Sequence, residues 1–155
     1  MRVGIGYDVH SLVQGHQLVL AGVHIPFSRG LSGHSDADVV THAIMDAILG
    51  AAGLRDIGTQ FPPGDARYKD ISSLVLLGEV KLLVEAKRFK VNNIDATIAA
   101  ESPELASFIE EMRQKISRTL VIKMDQVMVK ATTTDGLGFV GKGEGIAAYA
   151  VAFLE

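Results

Sequence analysis

The chain contains no cysteine among its 155 residues. It therefore has no disulfide framework, no cysteine nucleophile and no thiolate ligand for a metal ion. Any metal site in this protein must be built from histidine, aspartate and glutamate side chains, which bind metals through nitrogen and oxygen.

Basic runs, long apolar runs and a signal-peptide pattern are also missing. Fifteen Lys and Arg face 18 Asp and Glu, for a net charge of −3, which argues against a nucleic-acid-binding protein. No window approaches the roughly 18 apolar residues of a transmembrane helix. The amino terminus lacks an apolar segment followed by a cleavage site. We therefore predict a cytoplasmic protein with no nucleic-acid or membrane partner.

Length and element pattern predict one α+β domain over residues 1–155. Apolar residues make up 48% of the chain, and a domain of this size buries roughly 68–70% of its unfolded surface. Periodicity predicts the order β-β-α-α-β-α-β-β. We expect two layers, with helices packed on one face of a mixed sheet of four to five strands. The helices should begin at Ser35 or Asp36, at Ser72, and at Pro103 directly after Ser102.

Asp8, His10 and His42 are the candidate metal ligands. Residues 2–7 are predicted to form a strand that runs out into a loop, and residues two apart on an extended backbone point the same way. His42 lies on the first predicted helix. One carboxylate and two imidazoles can hold a catalytic zinc ion and leave a fourth position open. Spacing alone does not bring His42 to Asp8, so a turn-capping aspartate and a surface histidine remain alternatives.

Two further segments could bind phosphate. His34 and Ser35 stand just before a predicted helix N-terminus, which suits an anion. Asp36 and Asp38 oppose that reading, because they could cap the helix, bind diol hydroxyls or orient a metal-bound histidine. The run Thr132–Asp135 follows a strand and offers hydroxyls with a carboxylate for Mg²⁺, although a polar strand edge with a turn is the better explanation of the run taken alone.

The segments taken together resemble one family. They are Gly4–His10, His34–Asp38, His42–Ala51, Asp56–Gly58, Phe61–Pro62, Val129–Thr134 and Gly138–Ile146. In this order and over essentially the whole chain, they resemble 2-C-methyl-D-erythritol 2,4-cyclodiphosphate synthase. The resemblance implies a lyase of non-mevalonate isoprenoid synthesis. Its substrate would be 4-diphosphocytidyl-2-C-methyl-D-erythritol 2-phosphate, whose 2-phosphate attacks the β-phosphorus and releases CMP. It also implies a homotrimer with active sites between subunits.

The resemblance assigns roles to particular residues. Zinc would be held by Asp8, His10 and His42, and a magnesium or manganese ion by Asp135 with the substrate diphosphate. His34 and Thr133 would stabilise the transition state. Substrate would be bound by Ser35, by Asp56, Ile57 and Gly58, and by Phe61, Pro62, Pro63, Gly64 and Asp65. The cytidine diphosphate would contact Ala100, Glu101, Ser102, Pro103, Glu104, Leu105, Ala106, Thr132 and Thr134. Phe139 and Lys142 would lie near the threefold axis, at a central cavity that takes isoprenoid diphosphates in relatives.

Four positions depart from the family pattern. Asp135 replaces a usual Glu, Glu104 a usual Lys, Pro63 a usual Asp, and Lys142 a usual Arg. A lysine offers a point charge where arginine offers a bidentate fork, so anion binding at the central cavity would change. Two other functions are also compatible with the sequence. One is a metal-dependent phosphodiesterase, and the other a trimeric module that binds isoprenoid diphosphates without turnover.

Overall fold

A five-stranded mixed sheet forms one layer of the protein, which a computed structural model describes over residues 1–155. The strands are β1 (Arg2–Gln14), β2 (Leu18–Leu20), β3 (Val23–Ile25), β4 (Arg29–Leu31), β5 (Val91–Ala99), β6 (Val127–Thr132) and β7 (Gly145–Leu154). The order across the sheet is β4-β1-β7-β5-β6, with β5 and β6 parallel and the other neighbours antiparallel. Strands β2 and β3 pair separately as a hairpin.

Helices form the second layer. They are α1 (Val39–Ala52), α2 (Ile57–Gln60), α3 (Ser73–Ala86), α4 (Ile109–Leu120) and α5 (Gly138–Gly141). One hydrophobic cluster of 38 buried residues joins the three long helices to the sheet. The short α5 packs on the opposite face, where Val140 meets Ala99 and Ala147. The prediction of helices on one face was therefore wrong for α5. None of the helices has the length and apolar character needed to cross a membrane.

Apart from this contact, much of the opposite face of the sheet is apolar and uncovered. Alternate residues of β1 and β7 point away from α1, as the pleat of a strand requires. These side chains are between 42% and 73% exposed, and they are Val3, Ile5, Tyr7, Val9, Tyr149 and Val151. A monomer rarely leaves so large a contiguous apolar surface in water, so this face has the character of an interface.

Strand β1 is longer than the sequence pattern predicted. It continues for 13 residues to Gln14 instead of running into a loop after Tyr7. Its pairing with β7 extends through Ser11, and β4 then takes over as partner. Asp8 and His10 therefore lie within a paired strand, on the face that points toward α1.

Two predicted helix starts were wrong. The cap of α1 is Asp38, whose carboxylate accepts the N–H of Thr41 at 3.1 Å, and not Ser35 or Asp36. Helix α4 begins at Ile109 and not at Pro103. The Ser102–Pro103 peptide bond is cis, and Leu105 is buried in the core before the helical turns begin.

Helix α1 lies directly against β1 at two glycines. A Cβ atom added at Gly4 would lie 2.0 Å from the carbonyl oxygen of Ala47, and one at Gly6 would lie 1.9 Å from that of Ala43. Only glycine can occupy these positions, because real Cβ atoms do not come so close to backbone. The helix carries His42 next to Ala43 in sequence, so this close approach brings His42 to the strand.

We expect Gly6→Ala to lower the free energy of unfolding by about 2 kcal/mol or more, because the added methyl forces α1 away from β1. Urea unfolding followed by circular dichroism measures this change. Gly78→Ala is the matched control, since Gly78 lies in α3 with nothing within 4 Å of its added Cβ. That substitution should raise stability by roughly 0.5–1 kcal/mol. Equal effects at both glycines would contradict the packing argument.

Candidate metal centre and adjoining cavities

Asp8, His10 and His42 meet on the helix side of the sheet. Their ligand atoms all lie within 4.8 Å of one another. Oδ2 of Asp8 is 2.9 Å from Nε2 of His10 and 3.0 Å from Nδ1 of His42, and those two nitrogens are 3.2 Å apart. One oxygen and two nitrogens converging on a point form a set that fits a single divalent ion.

The electrostatics of this cluster favour a cation. Burial raises the pKa of Asp8, but hydrogen bonds and charge from His10 and His42 outweigh it and hold that pKa well below its usual range. Burial lowers the pKa of His10, while the Asp8 carboxylate and the Ser32 carbonyl raise it by more. The Asp8 carboxylate is thus ionised, and its negative charge can attract a cation to the cluster.

Each imidazole is held by its second nitrogen. Nδ1 of His10 donates to the carbonyl oxygen of Ser32 at 2.9 Å, which leaves Nε2 to face Asp8. Nε2 of His42 lies 2.9 Å from the hydroxyl of Ser73 and 3.1 Å from that of Ser35. Such outer contacts orient the rings of metal-binding histidines. Sequence reasoning missed Ser73, since it stands behind Ser72 at a helix start and no local pattern connects it to His42.

A cavity of about 240 Å³, here called the metal cavity, opens beside the cluster. Besides the three candidate ligands it is lined by predicted site residues, namely His34, Ser35, Ile57, Gly58, Phe61 and Pro63. Met45, Tyr68 and Leu76 also line it and were not predicted. Four residues expected there do not line it, and they are Asp56, Pro62, Gly64 and Asp65.

The Asp56 and Asp65 carboxylates accept hydrogen bonds from the backbone beside the cavity. The Asp56 carboxylate caps α2 by accepting the N–H of Thr59 at 2.8 Å. The Asp65 carboxylate accepts from Arg67 at 2.6 Å, and its carbonyl oxygen lies 3.2 Å from Nε2 of His34. The two carboxylates therefore bond to groups of the loop itself and do not line the cavity in which a substrate would bind.

A second, wider cavity of about 780 Å³ lies where the parallel strands β5 and β6 end. It is lined by the whole predicted segment Ala100–Ala106, together with Thr132 and Thr133. Thr134 and Asp135 do not line it. The two cavities share no lining residue, so His34 and Thr133, the pair predicted to act together, belong to different cavities of one chain.

Sequence comparison identifies the family of this chain. A sequence model of the YgbB family matches residues 1–155. The chain is 61% identical over 152 residues to the 2-C-methyl-D-erythritol 2,4-cyclodiphosphate synthase of Alkaliphilus oremlandii, covering 98% of this chain and 97% of that protein. The chain belongs to this synthase family. The predicted enzyme class, a phosphorus–oxygen lyase of non-mevalonate isoprenoid synthesis, is confirmed.

Solved synthase structures share the fold. A 2C-methyl-D-erythritol-2,4-cyclodiphosphate synthase in a CDP-bound form superposes with a TM-score of 0.91 at 34% identity, covering 99% of this chain and all of that one. The bifunctional IspDF of Campylobacter jejuni superposes with a TM-score of 0.95 at 42% identity and 99% coverage of this chain. This chain spans 42% of that longer protein.

Two residues that the synthase resemblance placed at a threefold axis lie outside both cavities. Phe139 lies in α5 and is 39% exposed, and Lys142 follows at the end of that helix with an exposed side chain. Helix α5 packs on the same side of the sheet as the uncovered apolar surface. Within one chain the two residues therefore lie apart from the candidate metal ligands and from Thr133.

Glu101 holds the loop after β6 in place. One oxygen of its carboxylate accepts the backbone N–H groups of Thr134 and Gly136, each at 3.0 Å. These bonds lower the pKa of Glu101. Asp135, between the two donors, adopts a left-handed backbone with φ of 52°. Glu101 thus fixes the loop that carries Thr133 and Asp135, a role that its predicted contact with cytidine did not include.

We expect Glu101→Ala to loosen this loop without unfolding the protein, because the carboxylate is its main anchor. Amide hydrogen exchange at Thr134 and Gly136, followed by NMR, should become clearly faster. Glu101→Gln is the matched control, since one amide oxygen can still accept both N–H groups, and its exchange should stay closer to that of the wild type. Unchanged exchange in the alanine variant would refute the anchoring role.

Proposed function

We propose that the chain converts 4-diphosphocytidyl-2-C-methyl-D-erythritol 2-phosphate to 2-C-methyl-D-erythritol 2,4-cyclodiphosphate and CMP. An oxygen of the 2-phosphate forms a bond to the β-phosphorus. The bond from that phosphorus to the oxygen bridging to CMP breaks, and its electron pair leaves with CMP. The observation that carries this proposal is the cluster of Asp8, His10 and His42 inside a cavity that also contains His34 and Ser35.

Asp8, His10 and His42 would hold zinc, and Asp135 would hold magnesium or manganese together with the substrate diphosphate. When bound, such ions supply Lewis acidity and neutralise charge on phosphate oxygens. The donor set supports this assignment, since two imidazoles and a carboxylate suit zinc, while a lone exposed carboxylate needs phosphate oxygens to complete a magnesium site. The shorter reach of Asp135 relative to Glu would require the loop to stand closer to the diphosphate.

The chain's own residues then position the reacting groups. His34 and Ser35 stand in the metal cavity and can donate hydrogen bonds to phosphate oxygens. Ile57 and Phe61 contribute apolar surface to its wall. The nucleophile is already an anion, so no strong general base is needed. Holding both phosphates of one substrate makes the attack intramolecular, which favours cyclisation over hydrolysis.

We also propose a homotrimer in which the metal cavity of one subunit faces the Thr133 cavity of the next. Two observations support it. The first is the exposed apolar face of β1 and β7, which a contact with another subunit would bury. The second is that His34 and Thr133 line different cavities, so they can act on one substrate only if two cavities meet. Phe139 and Lys142 would then lie at the threefold axis and could receive an isoprenoid diphosphate. A single domain and a cytoplasmic location stay predictions.

We expect Asp8→Ala and His42→Ala to lose zinc and CMP release together, because each removes one of three ligands. Zinc content is measured by elemental analysis, and the product is identified by mass, since hydrolysis adds one water and cyclisation adds none. Asp125→Ala is the matched control, because that exposed carboxylate lines neither cavity. Full CMP release by a zinc-free Asp8→Ala variant would refute the assignment, and a hydrolysed product would favour a phosphodiesterase.

Mixing two inactive variants tests the shared active site. We expect co-expressed Asp8→Ala and Asp135→Ala subunits to regain activity, because each mixed trimer contains one interface with both halves intact. Random assembly makes about three quarters of the trimers mixed, so about a quarter of the wild-type activity should return. Each variant expressed alone is the control. No recovery from verified mixed trimers would place both halves of the site in one subunit.

A further inference from the structure

We infer that Ser73 is a positioning residue of the metal centre, which works through a hydrogen-bonded chain from Asp36 to Ser73 to His42. The inference rests on the proposed metal site and adds to it the group that decides which nitrogen of His42 is free for the metal. Ser73 is the first residue of α3 and is fully buried. It stands behind the His42 ring, on the side away from Asp8.

The chain begins at the Asp36 carboxylate. One of its oxygens accepts the backbone N–H of Ser73 at 2.9 Å, and the other accepts the Ser73 hydroxyl. Asp36 thus provides the cap for α3 that the Ser72 side chain does not make. Both Asp36 oxygens are the acceptors in these bonds, so the proton of the Ser73 hydroxyl points toward Asp36.

The direction of that proton determines the next bond. Since the Ser73 hydroxyl donates to Asp36, its oxygen presents a lone pair to Nε2 of His42, 2.9 Å away. Nε2 therefore carries a proton and donates it, because an oxygen whose own proton points elsewhere can only accept. Nδ1, which lies 3.0 Å from the Asp8 carboxylate, is then the nitrogen that can exchange its proton for a metal ion at the candidate position.

Ser35 cannot replace Ser73 in this task. Its hydroxyl also lies near Nε2 of His42, at 3.1 Å, but no carboxylate directs its proton. Its only further partners are the N–H of Ala37 at 3.4 Å and the Ser73 hydroxyl at 3.5 Å. Ser35 also lines the metal cavity, where its hydroxyl can turn toward a ligand. Of the two serines, only Ser73 is held in a single hydrogen-bonding direction.

Zinc affinity tests the inference directly. We expect Ser73→Ala to weaken zinc binding about 10- to 100-fold, as loss of such an outer contact generally does, measured by competition with a chromophoric chelator. Asp36→Asn should weaken it as well, although no volume is lost. Its amide oxygen must accept the Ser73 N–H, so its NH₂ group faces the Ser73 hydroxyl and opposes the required proton direction. Both variants should also change the visible absorption spectrum of the cobalt-substituted protein.

Ser72→Ala is the matched control, since this neighbouring serine is exposed and makes no side-chain capping bond; its zinc affinity should equal that of the wild type. If Ser73→Ala fails to fold, the isosteric Asp36→Asn decides the matter alone. Wild-type protein that binds no zinc, or binds it equally well after Asp8→Ala, would refute the proposed metal site itself. Zinc binding that is lost in Asp8→Ala but unchanged in Ser73→Ala and Asp36→Asn would overturn the role of Ser73 and leave the proposed function standing.

Discussion

The close approach of α1 to β1 is the contact on which the candidate active site depends. Gly4 and Gly6 leave no side chain between the strand and the helix, and the backbone oxygens of Ala43 and Ala47 occupy the space where Cβ atoms would stand. A larger residue would push the helix outward by the thickness of a methyl group. His42 would then leave the reach of Asp8, because a metal ion tolerates only a few tenths of an ångström in its ligand distances.

Two neighbouring aspartates, Asp36 and Asp38, stabilise different parts of this protein. Asp36 and Asp38 stand two residues apart, yet they serve different elements. Asp38 is fully buried, caps α1 and also accepts the N–H groups of Ala21 and Gly22, which ties the β2–β3 turn to the helix. Asp36 turns toward α3 and, through Ser73, toward His42. Each carboxylate accepts hydrogen bonds from several donors, which a fully buried carboxylate such as that of Asp38 requires.

The residues of the proposed site lie in two separate cavities of one chain. The metal cavity contains His34 but no threonine of the 132–134 run, while the wider cavity contains Thr133 but none of the candidate zinc ligands. Assembly through the uncovered apolar face would supply the missing half from a neighbour. This arrangement would couple the hydrophobic stabilisation of the oligomer to the formation of the active site, so the isolated subunit would be both less stable and inactive.

The sequence by itself determined the chemistry available to this protein. Without cysteine, any metal ligands had to be histidine, aspartate or glutamate side chains, and alternation along β1 already placed Asp8 and His10 on one side. The family resemblance, and with it the enzyme class, rests on local runs that can be read directly. Tertiary structure decided what local patterns cannot encode. His42 lies next to Asp8 because α1 packs on Gly4 and Gly6, which are far from His42 in sequence. Ser73, at the start of α3, contacts His42. Asp36 precedes α1 in the chain but caps α3. Capping rules describe neighbours along the chain, so they misplaced the starts of α1 and α4, where contacts with distant residues outweighed the local preference.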